Sequence, residues 1–334
     1  MRESVIHKAI ERCRKSAGKF EFDIRKDQWI LFSDHHRGVK DGADDFQICE
    51  PAYRTALNYY DEKNFNLALL GDVEEFWENP IYKVVLKYRE IMQLEKKFFD
   101  KSRLFRIWGN HDDQWQFGNF ITKYLDFLFP QIEVHEGIDL SIIENGRSIG
   151  NVLLIHGHQG SLESDRFALI SKFFVRYVWR NIQRVFKIPL STPSTDLTLR
   201  SKHDMSMYNW TLKRKNQVLI CGHTHQAVFE SRTMIDRMTE ELEGLENEVV
   251  QAQQEKEIWR ILRKIEDLKQ KYTALEAGSE RVPRYFNTGA CSYADGDITG
   301  IELDRNTIRL IKWTGGDYSE REILEESTLN QLFK

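Results

Sequence analysis

Residues 217–225 read QVLICGHTH. Residues 218–221 are an apolar run of strand length, closed by a glycine and followed by two histidines one residue apart. A short apolar run bounded by a turn residue has the character of a buried strand. Two imidazoles spaced that way at its end can point at neighbouring ions. The same design occurs four times upstream: QWILFSDHH (28–36), NLALLGD (66–72), RLFRIWGNHD (103–112) and NVLLIHGH (151–158). Each run ends in Asp, Asn or His. The residues delivered are Asp34 and His36, Asp72, Asn110, His156, and His223 with His225. Glycines 71, 109, 157 and 222 let the backbone turn sharply there and leave room for ions and phosphate.

Between the first three runs lie helical patterns at about 50–63 and 80–100, and the opening segment 3–17 has helical spacing as well. Strands alternating with helices predict a layered α/β fold, and in such sheets sites gather at the carboxyl ends of the strands. Residues 284–313 read as strands with turns and are expected to complete a second sheet. The expected domain is one unit over 1–334 with two inserts, a helical cap at 163–215 and a second segment at 233–281.

Bulk properties narrow the function classes. Of 334 residues, 41% are hydrophobic and 30% charged, which suits a soluble globular chain. The formal net charge of -4 argues against a general nucleic-acid binder, which carries a basic balance. Cys13, Cys49, Cys221 and Cys291 are scattered without a CxxC pair, so neither a zinc ribbon nor a disulfide framework is expected. The first residues, MRESVIHKAIERCRK, lack the apolar stretch of a signal peptide, and no run is long and apolar enough to span a bilayer. The expected location is the cytoplasm, with access to the inner face of the membrane.

Of ten histidines, His35, His36, His111, His156, His158, His223 and His225 fall in the five motifs. That concentration, with carboxylates and without cysteine, suits ions of borderline hardness: Mn first, with Fe or Zn as alternatives. One carboxylate such as Asp72 can bridge two ions. A pair roughly 3.5–4 Å apart clamps a phosphoryl group in line with its nucleophile. Each motif alone is common; the order DxH, GD, GNHD, HGH, GHTH is not.

That ordered set resembles the calcineurin-like metallophosphoesterase superfamily over most of 28–231 and 284–313. The resemblance implies two β-sheets packed as a sandwich and flanked by helices. It also implies a ligand set: Asp34, His36 and His225 for one ion, Asn110, His156 and His223 for the other, and Asp72 between them. Every ligand position is filled. The implied chemistry is hydrolysis by direct attack of a hydroxide held between the two divalent ions. Asn110 would also bond a phosphate oxygen, His111 would steady developing charge or protonate the leaving oxygen, and Asp112 would orient His111.

Segment 166–190 carries Arg166, Lys172, Arg176, Arg180, Arg184 and Lys187, no acid, and many aromatic residues. Lys172, Arg176, Arg180 and Arg184 recur every fourth residue and form one helical stripe. Such a helix either lies in an anionic membrane interface or caps the domain with a solvated basic side. A cap at this place resembles that of UDP-2,3-diacylglucosamine pyrophosphatases, as does GDVEEFW (71–77). Arg176, Arg180, Arg200 and Lys202 are candidate contacts for a diphosphate. The chain departs from that subgroup at His111, where the subgroup has arginine, and in the segment 233–281. A related lipid-linked or nucleotide diphosphate therefore fits as well as the named one.

Segment 233–281 is rich in Glu, Lys and Leu. A single helix of about 45 residues would span roughly 65 Å and could not return to its sheet. The apolar spacing, with a phase break near 253–257, predicts an antiparallel helical hairpin, a candidate surface for a dimer or protein partner. Two rival functions remain open at this level. One is a nuclease or cyclic-nucleotide phosphodiesterase; the other is a non-catalytic metal-containing protein that binds a membrane or partner.

Overall fold

In the computed structural model, two sheets meet at the strand ends that carry the motifs. The structure describes residues 2–160, 197–229, 284–316 and 318–333, with 242, 244–246, 249, 258–267 and 269 of the second insert. Segment 166–190, with Arg176 and Arg180, lies outside the described residues, as do the side chains of Arg200 and Lys202.

The chain opens with α1 (Arg2–Ser16) and β1 (Gly18–Asp23). It continues through β2 (Gln28–Phe32), α2 (Glu50–Glu62), β3 (Asn66–Leu70), α3 (Ile81–Lys87), α4 (Arg89–Phe99), β4 (Leu104–Ile107), α5 (Gly118–Tyr124), β5 (Val134–His135), β6 (Gly137–Glu144) and β7 (Arg147–Ile155). Then come α6 (Leu197–Leu212), β8 (Gln217–Cys221), β9 (Tyr285–Asn287), β10 (Ile298–Asp304), β11 (Thr307–Trp313) and β12 (Arg321–Thr328). One sheet has the order β1-β6-β7-β8-β9, the other β12-β11-β10-β2-β3-β4-β5. The expected two-sheet architecture is thus present. The tail is divided, however: β9 edges the first sheet, while β10 runs antiparallel to β2 and brings β11 and β12 to the second. The tail therefore does not complete a single sheet.

Both faces of the central motif strands are covered, which explains why they read as unbroken apolar runs rather than alternating ones. Trp29, Leu31, Ala68 and Leu70 face Leu140, Val152, Leu154 and Ile220 in the core between the sheets. Ile30, Phe32, Leu67 and Leu69 face α2 and α4. Leu153, Ile155, Leu219 and Cys221 face α1 and α6. Truncating one of these, as in Leu69→Ala, would cost about 2–5 kcal/mol.

Helix α2 starts with Glu50 and Pro51, both suited to a first turn, and buries Ala52, Tyr53, Ala56, Leu57 and Tyr60 along one face. The pattern at 80–100 divides into α3 and α4 at Tyr88. The Tyr88 hydroxyl donates to Asp44 Oδ2 at 2.8 Å, which draws the ring into the core and turns the chain there. Helix α4 buries Glu95 among its apolar residues. The charge is matched from below the site, since Arg37 Nη2 meets Glu95 Oε1 at 2.5 Å and the Tyr53 hydroxyl donates to the same oxygen at 3.1 Å.

In the second insert, Lys269 Nζ lies 2.8 Å from Glu246 Oε1. Along one helix these residues would be separated by roughly 35 Å, so the described residues around 246 and 269 stand side by side. Leu245, Ile261 and Ile265 join the core around α1 and α6.

Candidate metal centre

The centre is built at the carboxyl ends of β2, β3 and β4 from one sheet and β7 and β8 from the other. Parallel pairing continues past the strands: the amides of Asp34 and His36 donate to the carbonyls of Gly71 and Asp72 at 3.1 and 2.9 Å. In the other sheet the parallel pairing of β7 and β8 continues likewise, with the Gly222 amide donating to His156 O at 2.8 Å. The ligand loops are therefore laced to each other before any ion is considered.

Their backbone is unusual. Asp34, His36, Asp72, His223 and His225 have φ of 53, 51, 50, 72 and 54°. Left-handed backbone at a non-glycine residue costs on the order of 1 kcal/mol or more and persists where the surroundings enforce it. Five of the seven candidate ligands share this feature, which throws their side chains back toward one point above the strand ends.

Three groups of side chains converge there, each within 4.8 Å: Asp34 with His36 and His225, His36 with Asp72 and His111, and Asp72 with His156 and His223. His225 Nε2 is 3.2 Å from Asp34 Oδ1 and 3.1 Å from His36 Nε2. His156 Nε2 is 3.1 Å from Asp72 Oδ2 and 3.2 Å from Asn110 Oδ1. Asp72 Oδ2 also lies 3.8 Å from His36 Nε2, between the two halves.

The arrangement fits divalent ions on its own chemistry. His156 Nδ1 donates to the Leu70 carbonyl at 2.8 Å, which leaves a lone pair on Nε2. In the neutral ring that lone pair faces a carboxylate oxygen and an amide oxygen, so once the Nε2 proton is displaced three acceptors surround one point. Asp34 Oδ1 is buried and accepts no hydrogen bond. The electrostatics agree. Burial opposes charge on His36, yet Glu75, Asp72 and Asp34 outweigh it and push the imidazole up to about 10. Burial likewise opposes charge on His156, and Asp72 and Asp34 raise it to about 9. A cluster that pulls protons this strongly lacks positive charge.

Asp112 does not orient His111, contrary to expectation. Its Oδ1 accepts the amides of Gly109 and Asp72 at 2.6 and 3.3 Å, and its Oδ2 those of Val73 and Glu74 at 2.9 and 3.5 Å. It is a brace across the β3 and β4 loops. Burial, Glu74 and Asp72 push its carboxyl up to about 7. The orienting role falls to Glu75. Its Oε2 meets His111 Nδ1 at 2.5 Å and His36 Nδ1 at 3.1 Å. Trp77 stacks on His111 with centroids 4.1 Å apart, and its indole donates to Asn110 O at 2.7 Å. Glu75 and Trp77 stand in the GDVEEFW stretch, but nothing in that stretch tells which imidazole either one meets.

Beneath the centre, Glu74 Oε2 accepts from Arg106 Nη2 at 2.6 Å and from the Trp115 indole at 2.8 Å, all fully buried. His35, packed on Tyr53 and Phe46, is neutral: burial, Arg37 and Arg106 hold it well below the ordinary imidazole range. His158 lies beside His156 and Trp108.

A family model for calcineurin-like phosphoesterases matches residues 30–227, which contain all seven candidate ligands. The chain belongs to the calcineurin-like phosphoesterase family. Comparison with curated proteins gives no match. As a member, this calcineurin-like phosphoesterase is a metal-dependent phosphoester hydrolase by class. No helix among its described residues is long and apolar enough to cross a membrane.

Proposed function

We propose that the protein is a two-ion phosphohydrolase that cleaves a phosphoanhydride or phosphodiester, with a lipid-linked or nucleotide diphosphate as its substrate. One observation carries the two-ion reading: Asp72 Oδ2 stands 3.1 Å from His156 Nε2 and 3.8 Å from His36 Nε2, so one carboxylate serves both halves of the site. Asp34, His36 and His225 would hold one ion, Asn110, His156 and His223 the other, and Asp72 both. Manganese suits this mixed oxygen and nitrogen set. Bound there, such ions supply positive charge to the phosphoryl group and acidify the attacking water.

The chain's own groups do the remaining work. Asn110 Nδ2 is buried with no partner and is a ready donor to a phosphoryl oxygen. His111 gives its Nδ1 side to Glu75 and is fixed in plane by Trp77. Its Nε2 is then the atom that can hold a proton for the leaving oxygen. Burial opposes charge on His111, and Glu75 and Asp72 outweigh it and raise its affinity for that proton.

The diphosphate and lipid parts of the proposal rest on the sequence, on GDVEEFW and the basic aromatic stretch 166–190. The test is product analysis by mass spectrometry after incubating Mn-loaded protein with UDP-2,3-diacylglucosamine, beside His225→Ala. Release of UMP and the lipid monophosphate, absent in the variant, supports the full proposal. Hydrolysis of activated esters without that release keeps the two-ion chemistry and rejects this substrate.

A further inference from the structure

We propose that His203 and Asp204, neighbours on α6, are positioning residues that hold the β7 and β8 loops together and so build the Asn110–His156–His223 half of the centre. The proposal rests on the two-ion reading above.

His203 Nε2 donates to the Gly157 carbonyl at 2.6 Å, and its ring stands edge-on to His223, with centroids 5.4 Å apart and planes at 65°. Asp204 is 2% exposed. Its Oδ1 accepts from the Tyr285 hydroxyl at 2.5 Å and from the Thr224 hydroxyl at 3.2 Å. Asn287 Nδ2 completes the hold, donating to Gly222 O at 2.7 Å and to Thr224 Oγ1 at 3.1 Å. Each anchored residue adjoins a candidate ligand in sequence: Gly157 follows His156, and Thr224 stands between His223 and His225.

The loops so gripped are in contact. Gly157 has φ of +117°, and a Cβ there would meet Gly222 O and His223 Cβ at 3.2 Å. His223 itself is in the left-handed region, with φ of 72°. Such a conformation needs an outside hold, and α6 supplies it from two consecutive positions, roughly 100° apart round the helix. The helix is seated independently of the ligands. Met207 and Trp210 are buried in the core it shares with α1, and His7 Nε2 bonds Ser206 O at 3.0 Å.

The other half of the centre is braced elsewhere. The Cys291 amide and the Ser292 hydroxyl donate to the Asp34 carbonyl at 3.2 and 2.9 Å. Loss of the His203 hold on Gly157 should therefore weaken one ion and spare the other, whereas loss of Asp204, which grips Thr224 beside His225, reaches both.

The experiment measures Mn uptake by equilibrium dialysis, with electron paramagnetic resonance to report a spin-coupled pair, on wild type, His203→Ala, His203→Gln, Asp204→Ala and Asp204→Asn. Wild type is expected to take up two ions. His203→Ala should retain one at wild-type affinity, bind the second about 10–100-fold more weakly, as losing an outer-shell partner does, and lose the coupled signal; Asp204→Ala, which frees Thr224 between His223 and His225, should weaken both. His203→Gln, whose amide nitrogen can replace the imidazole Nε2–H, should recover most of the loss. Asp204→Asn keeps one acceptor oxygen and should fall between. If Asp204→Ala does not fold, the alanine and glutamine variants at 203 carry the test. Two ions bound at wild-type affinity in folded His203→Ala overturns the proposal, as does equal weakening of both ions in that variant. Fewer than two ions in wild type would instead defeat the two-ion reading itself.

Discussion

Glu75 and His111 are joined Oε2 to Nδ1 at 2.5 Å beside the candidate ions' side chains. The same carboxylate oxygen reaches His36 Nδ1 at 3.1 Å, so one acid sets the tautomer of a candidate ligand and of the candidate proton donor. If His111 protonates the leaving oxygen, its importance must scale with how badly that oxygen needs a proton. His111→Ala should lower kcat about 10²–10⁴-fold on a substrate with an alkoxide or phosphate leaving group. On a p-nitrophenyl ester, whose leaving group departs unaided, the loss should shrink below about 10-fold. Glu75→Gln should show the same dependence with a smaller loss. Equal losses on both substrates would assign His111 to binding rather than proton transfer.

The brace at Asp112 leads to a different expectation. Four backbone amides aim at one carboxylate. Replacing it with alanine leaves buried donors unpaired, at about 1–3 kcal/mol for each that water cannot reach. Asparagine should not rescue it, because its Nδ2 would present hydrogens to amides that also donate. Both Asp112→Ala and Asp112→Asn should therefore lower the urea midpoint and weaken Mn binding together. A variant with a wild-type midpoint and lost turnover would return Asp112 to a direct chemical role.

What the sequence disclosed, and what it hid, follows from range. The convergence of the seven candidate side chains was legible because each closes an apolar run, and a buried parallel strand writes itself as such a run. The hairpin of β6 and β7 was also written, in Asn145-Gly146, both with positive φ of 53 and 75° as a two-residue hairpin turn requires. The Asp112 brace, the Glu75 bridge and the His203 contact were not legible. Apart from the Gly109 amide, three residues from Asp112, they join positions 36 to 46 residues apart, and only the crossing of loops above the sheets decides which acid meets which imidazole. The routing of β10 beside β2 was hidden for the same reason.

Metal uptake should release protons. In metal-stripped protein His36 and His156 are raised to about 10 and 9, so both carry their protons at neutral pH. Since these folded values lie above the ordinary imidazole value of about 6.5, the charged rings stabilise the stripped protein fully below that pH. The contribution is lost as pH rises through 9 and 10. An ion must displace those protons to reach the Nε2 lone pairs. Calorimetry at pH 7 in buffers of different ionisation enthalpy should show about two protons released per centre filled. Apparent Mn affinity should climb with pH until the rings are neutral. Uptake without proton release would mean that the imidazoles are already neutral in the stripped protein.

Gly109 tests the geometry of the shared carboxylate. A Cβ at this position would lie 2.2 Å from Asp72 Oδ1 and 2.5 Å from the Asp72 amide nitrogen. The nitrogen belongs to backbone laced into the β2 loop and cannot retreat, so the carboxylate must swing or the two loops must part. Either movement takes Asp72 away from a position 3.1 Å from His156 Nε2 and 3.8 Å from His36 Nε2. Gly109→Ala adds a single methyl group and removes no ligand. It should nonetheless weaken both ions rather than one, in contrast to His203→Ala, and lower turnover at least as far as Asp72→Asn. Equilibrium dialysis of the two variants side by side decides it. A Gly109→Ala protein that binds two ions as wild type does would show that the loops can open without moving Asp72, and would remove the argument for a shared carboxylate fixed by the backbone.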